Sequence, residues 1–260
     1  MMTSTGFFRL CIATTAIALP LVAAAQDAPA KSEAATRIEA ALASSIRTAD
    51  ERARDQPERK PLETLEFFGL QPDMHVIELL PGRGWYTKVL APVLADKGKL
   101  SLAIGAKRLA PLLTEWGLDK VEVLDDKTVF KPTGQYGIAD VESLQLPAKN
   151  VDMVLTFRNM HNLTAPSRAL LNAEVFRALK PGGIYGIVDH TRRHMEPATS
   201  ETWRRIDPVL VIKEVTAAGF EFVDYSDLHY RPDDSLQFDS QRISLQGYSD
   251  RFTLKFRKPR

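Results

Sequence analysis

The hydrophobic pattern of the chain changes period repeatedly, and these changes separate predicted strands from predicted helices. Short runs of consecutive apolar residues predict strands that are buried on both faces, whereas apolar residues spaced three and four apart predict helices. The predicted strands are 74–80, 99–104, 121–124, 151–157, 183–189, 220–228 and 251–257. The predicted helices are 36–54, 61–68, 85–95, 108–116, 167–179 and 208–218.

Predicted strands and helices alternate over most of the chain, and the last two strands follow each other without a helix. Alternation requires a parallel sheet with helices on both faces, because each parallel connection must cross over the sheet. The final pair predicts an antiparallel end. The predicted fold class is therefore α/β, with a Rossmann-like, doubly wound, mostly parallel seven-stranded sheet, an antiparallel last strand, and a single domain with N-terminal helices.

The first 25 residues have the pattern of a secretory signal peptide. Arg9 precedes an apolar run at 10–22 that is short for a membrane span, and small residues at 23–25 favour cleavage before Gln26. We therefore expect an exported, periplasmic protein with no stable membrane span after cleavage. The predicted division is a signal peptide at 1–25, a flexible leader and N-terminal helix at 26–56, and the α/β domain at 57–260.

Charge and cysteine content exclude several classes of protein. The chain has 34 Lys and Arg against 33 Asp and Glu, and the excess charge is Arg9 in the predicted signal peptide. The mature chain therefore lacks the basic surplus typical of nucleic-acid binding. The single cysteine, Cys11, also lies in the signal peptide, so disulfides and thiolate metal sites are excluded from the mature chain.

The first predicted strand of the α/β domain runs into a glycine turn, which reads Glu-Leu-Leu-Pro-Gly-Arg-Gly at 78–84. Ligands of open α/β sheets bind beyond the carboxyl ends of the strands. Gly82 and Gly84 would let a ligand approach the backbone, and the next helix N-terminus favours an anionic group. A buried Glu78 needs a hydrogen-bonding partner, and a ligand ammonium is one. A tight turn with a capping carboxylate explains the same residues equally well.

A dinucleotide site is a competing interpretation of this turn. It requires a third glycine three residues after Gly84, where the chain has Thr87, and an acidic residue at the end of the next strand, where none stands. The pattern therefore disfavours a nicotinamide-dependent oxidoreductase.

Four segments, in order, resemble the motifs of class I S-adenosylmethionine-dependent methyltransferases. They are 78–84, 139–147, 150–157 and 179–189. The resemblance extends from about Pro57 to the C-terminus, and it implies S-adenosylmethionine as cofactor and a methyltransferase-like domain at 57–260. Leu80 stands where the family usually has its first glycine. A narrower resemblance, to a bacterial group of predicted and often exported methyltransferases, rests on 81–87, Arg52, Asp55, Arg59 and 205–208.

The resemblance implies roles at both ends of the cofactor. Glu78 would orient the groups around the methionine ammonium, and Asp140 would accept a hydrogen bond from the adenine amino group. The expected cofactor-binding residues are Glu78, Pro81, Gly82, Gly84, Trp85, Tyr86, Asp140, Val141, Arg158 and Asn159. Trp85 and Tyr86 could equally be core residues. The family's ribose-binding acid is missing, since the second strand ends Ala103-Ile104-Gly105-Ala106, and its loss would cost about 1–3 kcal/mol of binding if nothing replaces it.

Methyl transfer requires an oriented nucleophile and, for some acceptors, a base. The expected catalytic residues are His161, Asn162, Asp189 and His190, which follow the fourth and fifth predicted strands. His161 is the leading candidate for the base, and a helix-capping or core histidine is the alternative. Asp189, His190 and His194 could also form a metal site, but no third clear ligand is evident, and no metal is expected.

The predicted function is methyl transfer from S-adenosylmethionine to an unidentified small-molecule or envelope acceptor. The alternative is a non-catalytic binding or scaffold protein that keeps the fold. The missing ribose-binding acid and export away from the cytoplasmic cofactor supply favour the alternative. Glu78, the glycine turn and Asp140 favour the enzyme.

Overall fold

The computed structural model describes residues 1–2 and 31–260. Internal contacts divide the chain into a unit at 1–30 and a unit at 31–260, and the second unit contains every element given below. The predicted signal peptide and most of the leader lie outside the described residues. Among the described helices, none has the length and apolar character that a bilayer crossing demands.

Seven helices and nine strands make up the described fold. The helices are α1 Glu33–Leu42, α2 Ala49–Ala53, α3 Pro61–Phe68, α4 Thr87–Leu94, α5 Ala110–Glu115, α6 Ala165–Ala178 and α7 Pro208–Ala217. The strands are β1 His75–Leu79, β2 Lys99–Ala103, β3 Glu122–Val123, β4 Val129–Pro132, β5 Ala139–Ser143, β6 Val151–Phe157, β7 Leu179–His190, β8 Glu221–Ser226 and β9 Arg251–Arg257.

Seven strands form one sheet in the order β3-β2-β1-β6-β7-β9-β8. The pairs on the β3 side of β7 are parallel, and β9 runs antiparallel to both β7 and β8. The predicted doubly wound sheet with an antiparallel last strand is confirmed. The chain order reverses between β1 and β6, so the crevice beyond the carboxyl ends of these two strands is the expected ligand site.

Two apolar cores lie on the two faces of the sheet. One core includes Leu171 and Val175 of α6 and Val211 and Val215 of α7. The other includes Ile38 of α1, together with residues of α3, α4 and α5. The predicted parallel strands read as continuous apolar runs because both faces of the sheet are covered by these helices.

Two sequence predictions about local structure were wrong. The single helix predicted at 36–54 is two helices, because Thr48 and Glu51 form a capping box that begins α2 after a turn. The segment at 139–147, which was not among the predicted strands, begins with β5, and β5 pairs antiparallel with β4 in a separate hairpin. The exposed strand β4 lacks the apolar alternation from which strands are predicted.

Candidate active site

The glycine turn after β1 has the backbone conformation that its glycines permit. Gly82 has φ +62°, and a Cβ on it would have no other atom within 4 Å, so a ligand can approach the backbone there. Gly84 has φ +80°, and a Cβ on it would lie 2.9 Å from the Trp116 ring, so its missing side chain accommodates that indole. Leu80, at the family's glycine position, also has positive φ, +50°. That left-handed conformation costs a leucine about 1–2 kcal/mol.

A cavity of about 630 Å³ opens beside this turn, at the switch point of the sheet. Most of the sequence-predicted site residues line it. They are Glu78, Pro81, Gly82, Trp85, Tyr86, Arg158, Asn159, His161, Asn162 and His190. The remaining predicted residues, Gly84, Asp140, Val141 and Asp189, are outside this lining.

Glu78 is the buried acid of the cavity. It is 2% exposed, and its Oε2 accepts a hydrogen bond of 2.6 Å from Thr87 Oγ1. Burial raises the pKa of Glu78 to about 8, although the Thr87 hydrogen bond and the charge of Arg59 lower it in part. A carboxyl group held in this way is poised to pair with a ligand cation.

Aromatic rings form one wall of the cavity. Tyr86 stacks on Phe157, with ring centroids 3.6 Å apart and an interplanar angle of 8°. Trp85 meets Tyr86 edge to face, and its Nε1 donates to the Glu51 carbonyl at 3.1 Å. The Arg59 guanidinium lies 4.3 Å from the Trp85 ring centroid. Trp85 and Tyr86 are therefore buried in the core and also line the site.

Asp140 and Val141 lie at the N-terminus of α6. Thr164 Oγ1 donates to Asp140, Ser167 Oγ lies 3.5 Å from the same carboxylate oxygen, and the Val141 amide donates to Ser167 Oγ at 2.7 Å. These contacts hold β5 against the start of α6. An adenine contact by Asp140 stays a prediction.

Asp126 is a buried acid that sequence reasoning did not single out. Its carboxylate accepts from the Ile104 amide at 2.5 Å and from the Thr128 amide at 3.0 Å. It therefore joins the end of β2 to the segment after β3, at the position where the family's ribose-binding acid is missing. The sequence signal for Asp126 was its place directly after the predicted strand at 121–124, which pairs with the strand at 99–104.

His161 and Asp189 form a hydrogen-bonded pair at the reacting end of the cavity. His161 Nδ1 lies 2.5 Å from Asp189 Oδ1, and the His161 amide donates to Oδ2 at 3.1 Å. Because a carboxylate only accepts hydrogen bonds, Nδ1 carries the proton and Nε2 is left as an acceptor. Asp189 is fully buried behind the imidazole. It therefore acts on the cavity through His161.

The histidines that follow β7 do not converge on a metal position. His190 Nδ1 pairs with Ser249 Oγ at 3.0 Å, and His194 Nδ1 pairs with Asp207 at 2.9 Å. Burial and the charge of Arg251 lower the pKa of His190 well below 6.5, which keeps it neutral. Within residues 31–260, no group of three or more His, Cys, Asp or Glu is placed to hold a metal ion.

The N-terminal segment also contributes residues to the cavity lining, although the sequence motifs did not place these residues in the site. Thr48, Asp50, Glu51, Arg54 and Arg59 line the cavity. Lys88 Nζ of α4 donates to both carboxylate oxygens of Glu51, at 3.0 and 3.1 Å, and fixes α2 against the glycine-turn helix. The sequence signal for their place in the site was the high density of arginines and acidic residues at 47–59.

Comparison with known proteins relates this geometry to a family. A profile described as "Methyltransferase domain" matches residues 100–187. A ubiquinone/menaquinone biosynthesis C-methyltransferase from Shewanella piezotolerans is 28% identical over 129 residues, which are 50% of this chain and 47% of that protein. Its counterpart from Teredinibacter turnerae is 32% identical over 120 residues, 46% of this chain and 44% of that protein. The chain thus spans about half the length of the curated relatives it matches.

Solved structures share the architecture over nearly the whole chain. A SAM dependent methyltransferase from Aquifex aeolicus has 17% identity and a TM-score of 0.53, and the match covers 85% of this chain and 97% of that one. The chain therefore contains a methyltransferase domain at 100–187 and has the fold of this SAM dependent methyltransferase. The [4+2]-cyclase SpnF also matches, with 17% identity, a TM-score of 0.54, and coverage of 87% and 93%. This methyltransferase fold therefore does not by itself specify the reaction.

The site can be compared with S-adenosylmethionine, which the printed name of the Aquifex aeolicus protein gives as its methyl donor, and it fits this molecule at the amino-acid end. Glu78 offers a buried carboxyl to an ammonium, and the open space at Gly82 allows close approach. At the ribose end, the second strand supplies no acid, and both oxygens of Asp126 accept from backbone amides of this chain. The geometry therefore offers a partner for the ammonium and no free carboxylate from the second strand or Asp126 for the ribose.

Proposed function

We propose that the protein transfers a methyl group from S-adenosylmethionine to an acceptor in the cell envelope. One observation carries the proposal: the buried carboxyl of Glu78 and the Asp189–His161 pair meet at a single cavity. The first suits the ammonium of the cofactor, and the second suits removal of a proton from an acceptor. A scaffold that only kept the fold would need neither.

The residues divide the chemistry between them. When bound, S-adenosylmethionine supplies an electrophilic methyl group. Glu78 would hold the ammonium, and the wall formed by Tyr86 and Phe157 would exclude water from the site. His161 Nε2 would receive the acceptor's proton, and Asp189 would orient the imidazole and stabilise its positive charge. This arrangement suits acceptors that lose a proton on methylation, such as a hydroxyl, an amine or an acidic carbon.

Calorimetric titration with S-adenosylmethionine tests the cofactor site and its pH dependence. With a pKa of about 8 in the free protein, Glu78 must lose its proton to pair with an ammonium. We therefore expect the affinity of the wild type to rise with pH up to about 8, by as much as about tenfold per unit. Glu78→Gln should bind at least about tenfold more weakly at pH 8 and lose this rise.

An exposed acid outside the cavity provides the matched control. Glu115→Gln should bind S-adenosylmethionine as the wild type does, with the same rise with pH. Failure of the wild type to bind, or identical titrations for Glu78→Gln and the wild type, would remove the proposed function.

We also propose that the chain is exported and cleaved before Gln26, which would place the acceptor in the envelope. The apolar run at 10–22 and the alanines at 23–25 support this proposal. N-terminal sequencing of protein recovered from a periplasmic extract is expected to begin at Gln26. Recovery of the uncleaved chain from the cytosolic fraction alone would contradict export.

The non-catalytic alternative is favoured by the strand end at 103–106, which supplies no ribose-binding acid, and by the proposed export away from the cytoplasmic cofactor supply. The two functions differ in the fate of the cofactor. An enzyme consumes S-adenosylmethionine when acceptor is present, whereas a scaffold leaves it intact. Measurement of S-adenosylhomocysteine formed in an envelope extract separates them.

A further inference from the structure

A second cavity, of about 480 Å³, adjoins the first, and arginines dominate its charge. Arg54, Arg158 and Arg251 line it, and Glu58 is its one acidic lining residue among those described. The two cavities share Arg54, Arg158, His190 and Gln241. A molecule that reaches His161 in the first cavity can therefore extend into the second.

Glu58 cannot neutralise this cluster. Its carboxylate accepts from Arg54 at 2.7 and 2.5 Å and from Arg251 at 3.1 Å. Although burial raises it, the Arg54 hydrogen bond and the charges of Arg251 and Arg59 hold the pKa of Glu58 at about 2. Glu58 is therefore ionised throughout the physiological range, and it offsets one of the three positive charges.

The side chain of Arg158 has no hydrogen-bonding partner among residues 31–260. Its Nη1 lies 3.7 Å from Glu58 Oε1, beyond hydrogen-bonding distance, and its side chain is 24% exposed. Its backbone is left-handed, with φ +64°. Burial and the charges of Arg59, Arg251 and Arg54 lower the pKa of Arg158. A guanidinium that has only this distant carboxylate, and no hydrogen bond, is unfavourable beside other arginines in a strained backbone.

Two further polar groups of the lining lack partners within the described chain. Ser240 is 3% exposed and Arg251 is 5% exposed, and neither Ser240 Oγ nor Arg251 Nε has a hydrogen bond. Both residues line the second cavity with Arg158. The unmet groups include two guanidinium donors and a hydroxyl, which together match the oxygens of an anion.

We propose that the second cavity binds an anionic group of the methyl acceptor, a phosphate or a carboxylate, through Arg158, Arg251 and Ser240. This assignment of substrate class rests on the proposed methyl transfer. The anion anchors the acceptor on one side of His190, and the group to be methylated faces His161 on the other. Arg158 stands at the junction and determines whether an acidic acceptor is held.

Calorimetry with inorganic phosphate and with succinate tests the proposal, at matched ionic strength with potassium chloride. The wild type should bind at least one of them, whether or not S-adenosylmethionine is present. Preference for phosphate indicates a phosphorylated acceptor, and preference for succinate a carboxylic acid. Arg158→Met should bind the preferred anion at least about tenfold more weakly. Arg242→Met, at an exposed arginine that lines neither cavity, should bind it as the wild type does.

Thermal unfolding separates a binding role from a structural one. Arg158→Met removes a charge that makes no hydrogen bond and lies beside other arginines, so its melting temperature without anions should equal or exceed that of the wild type. Phosphate or succinate should no longer raise it. Ser240→Ala provides a second variant, with weaker anion binding and an unchanged fold. It keeps the test decisive if Arg158→Met does not fold.

Three results would overturn the proposal. The first is a wild type that binds S-adenosylmethionine but neither anion, which leaves the proposed methyl transfer intact. The second is equal anion binding by the wild type, Arg158→Met and Ser240→Ala. The third is competition between the anion and S-adenosylmethionine, which would assign the arginines to the cofactor's carboxylate. A wild type that fails to bind S-adenosylmethionine removes the proposed function itself and the acceptor with it.

Discussion

Arg205→Ala is expected to lower the free energy of unfolding by about 3–5 kcal/mol. Arg205 is fully buried, and its Nη2 lies 2.9 and 3.1 Å from the two carboxylate oxygens of Asp234. Its Nε and Nη1 donate to the carbonyls of Phe238 and Thr191 at 2.8 and 3.1 Å. Truncation leaves the buried Asp234 carboxylate without this partner, and removal of one partner of a buried ion pair is strongly destabilising.

Urea unfolding measures this effect, and an exposed ion pair provides the control. Lys97 Nζ lies 2.9 Å from Glu33 Oε1, with side chains 55% and 52% exposed. Lys97→Ala should therefore lower the free energy of unfolding far less than Arg205→Ala does, because water screens an exposed ion pair. Equal losses for Arg205→Ala and Lys97→Ala would contradict the argument.

The Arg205–Asp234 pair also has a functional consequence. Asp234 accepts from the amides of Leu236 and Asp250, so the pair organises the loop between β8 and β9. That loop carries Ser240 and Gln241, which line the second cavity. Arg205→Ala should therefore weaken binding in that cavity at temperatures where the protein is still folded.

His161→Asn is expected to lower the rate of methyl transfer by about 10²–10⁴-fold while the affinity for S-adenosylmethionine stays close to that of the wild type. The side chain lines the cavity, and Asp189 orients it through a 2.5 Å contact with Nδ1. Loss of a proton acceptor affects the reacting step and leaves the amino-acid end of the cofactor site unchanged. Transfer of a labelled methyl group from S-adenosylmethionine to acidic acceptors, under single-turnover conditions, measures the rate.

Two further variants distinguish a base from other roles of this histidine. Asp189→Asn should also be slow, because an amide can stabilise the wrong imidazole tautomer and cannot balance an imidazolium charge. His194→Asn should transfer at the wild-type rate, because His194 lines neither large cavity and pairs with Asp207 instead. If His194→Asn were as slow as His161→Asn, the specific role of His161 as the base would be contradicted.

The order and type of most elements could be predicted from the chain because they depend on local hydrophobic period. The strands at 151–157 and 251–257 have the predicted bounds, since both lie inside the sheet, where the first is mostly apolar and the second alternates apolar with polar residues. The hairpin of β4 and β5 could not be predicted in this way. Its first strand is exposed along its whole length, so burial imposed no pattern on it.

The candidate site also has a part that the sequence predicted and a part that only the structure shows. Glu78 lies near the end of a predicted parallel strand, and Gly82 and His161 follow such ends. Topology alone brings these positions to one edge of a sheet. The hydrogen-bonding partners of these residues could not be predicted in this way. Asp189 was predicted as a catalytic residue in its own right, and only the fold shows that it lies behind His161.

By itself, the sequence determined the doubly wound sheet, the glycine turn and the group of polar residues at its edge, because hydrophobic period and strand order are properties of short segments. Only the tertiary structure decided which charges are paired. Arg251 reaches Glu58 across 193 residues, and Arg158 is left beside them without a hydrogen bond among the described residues. Pairing of charges depends on distances between segments far apart in the chain, and no local pattern records those distances.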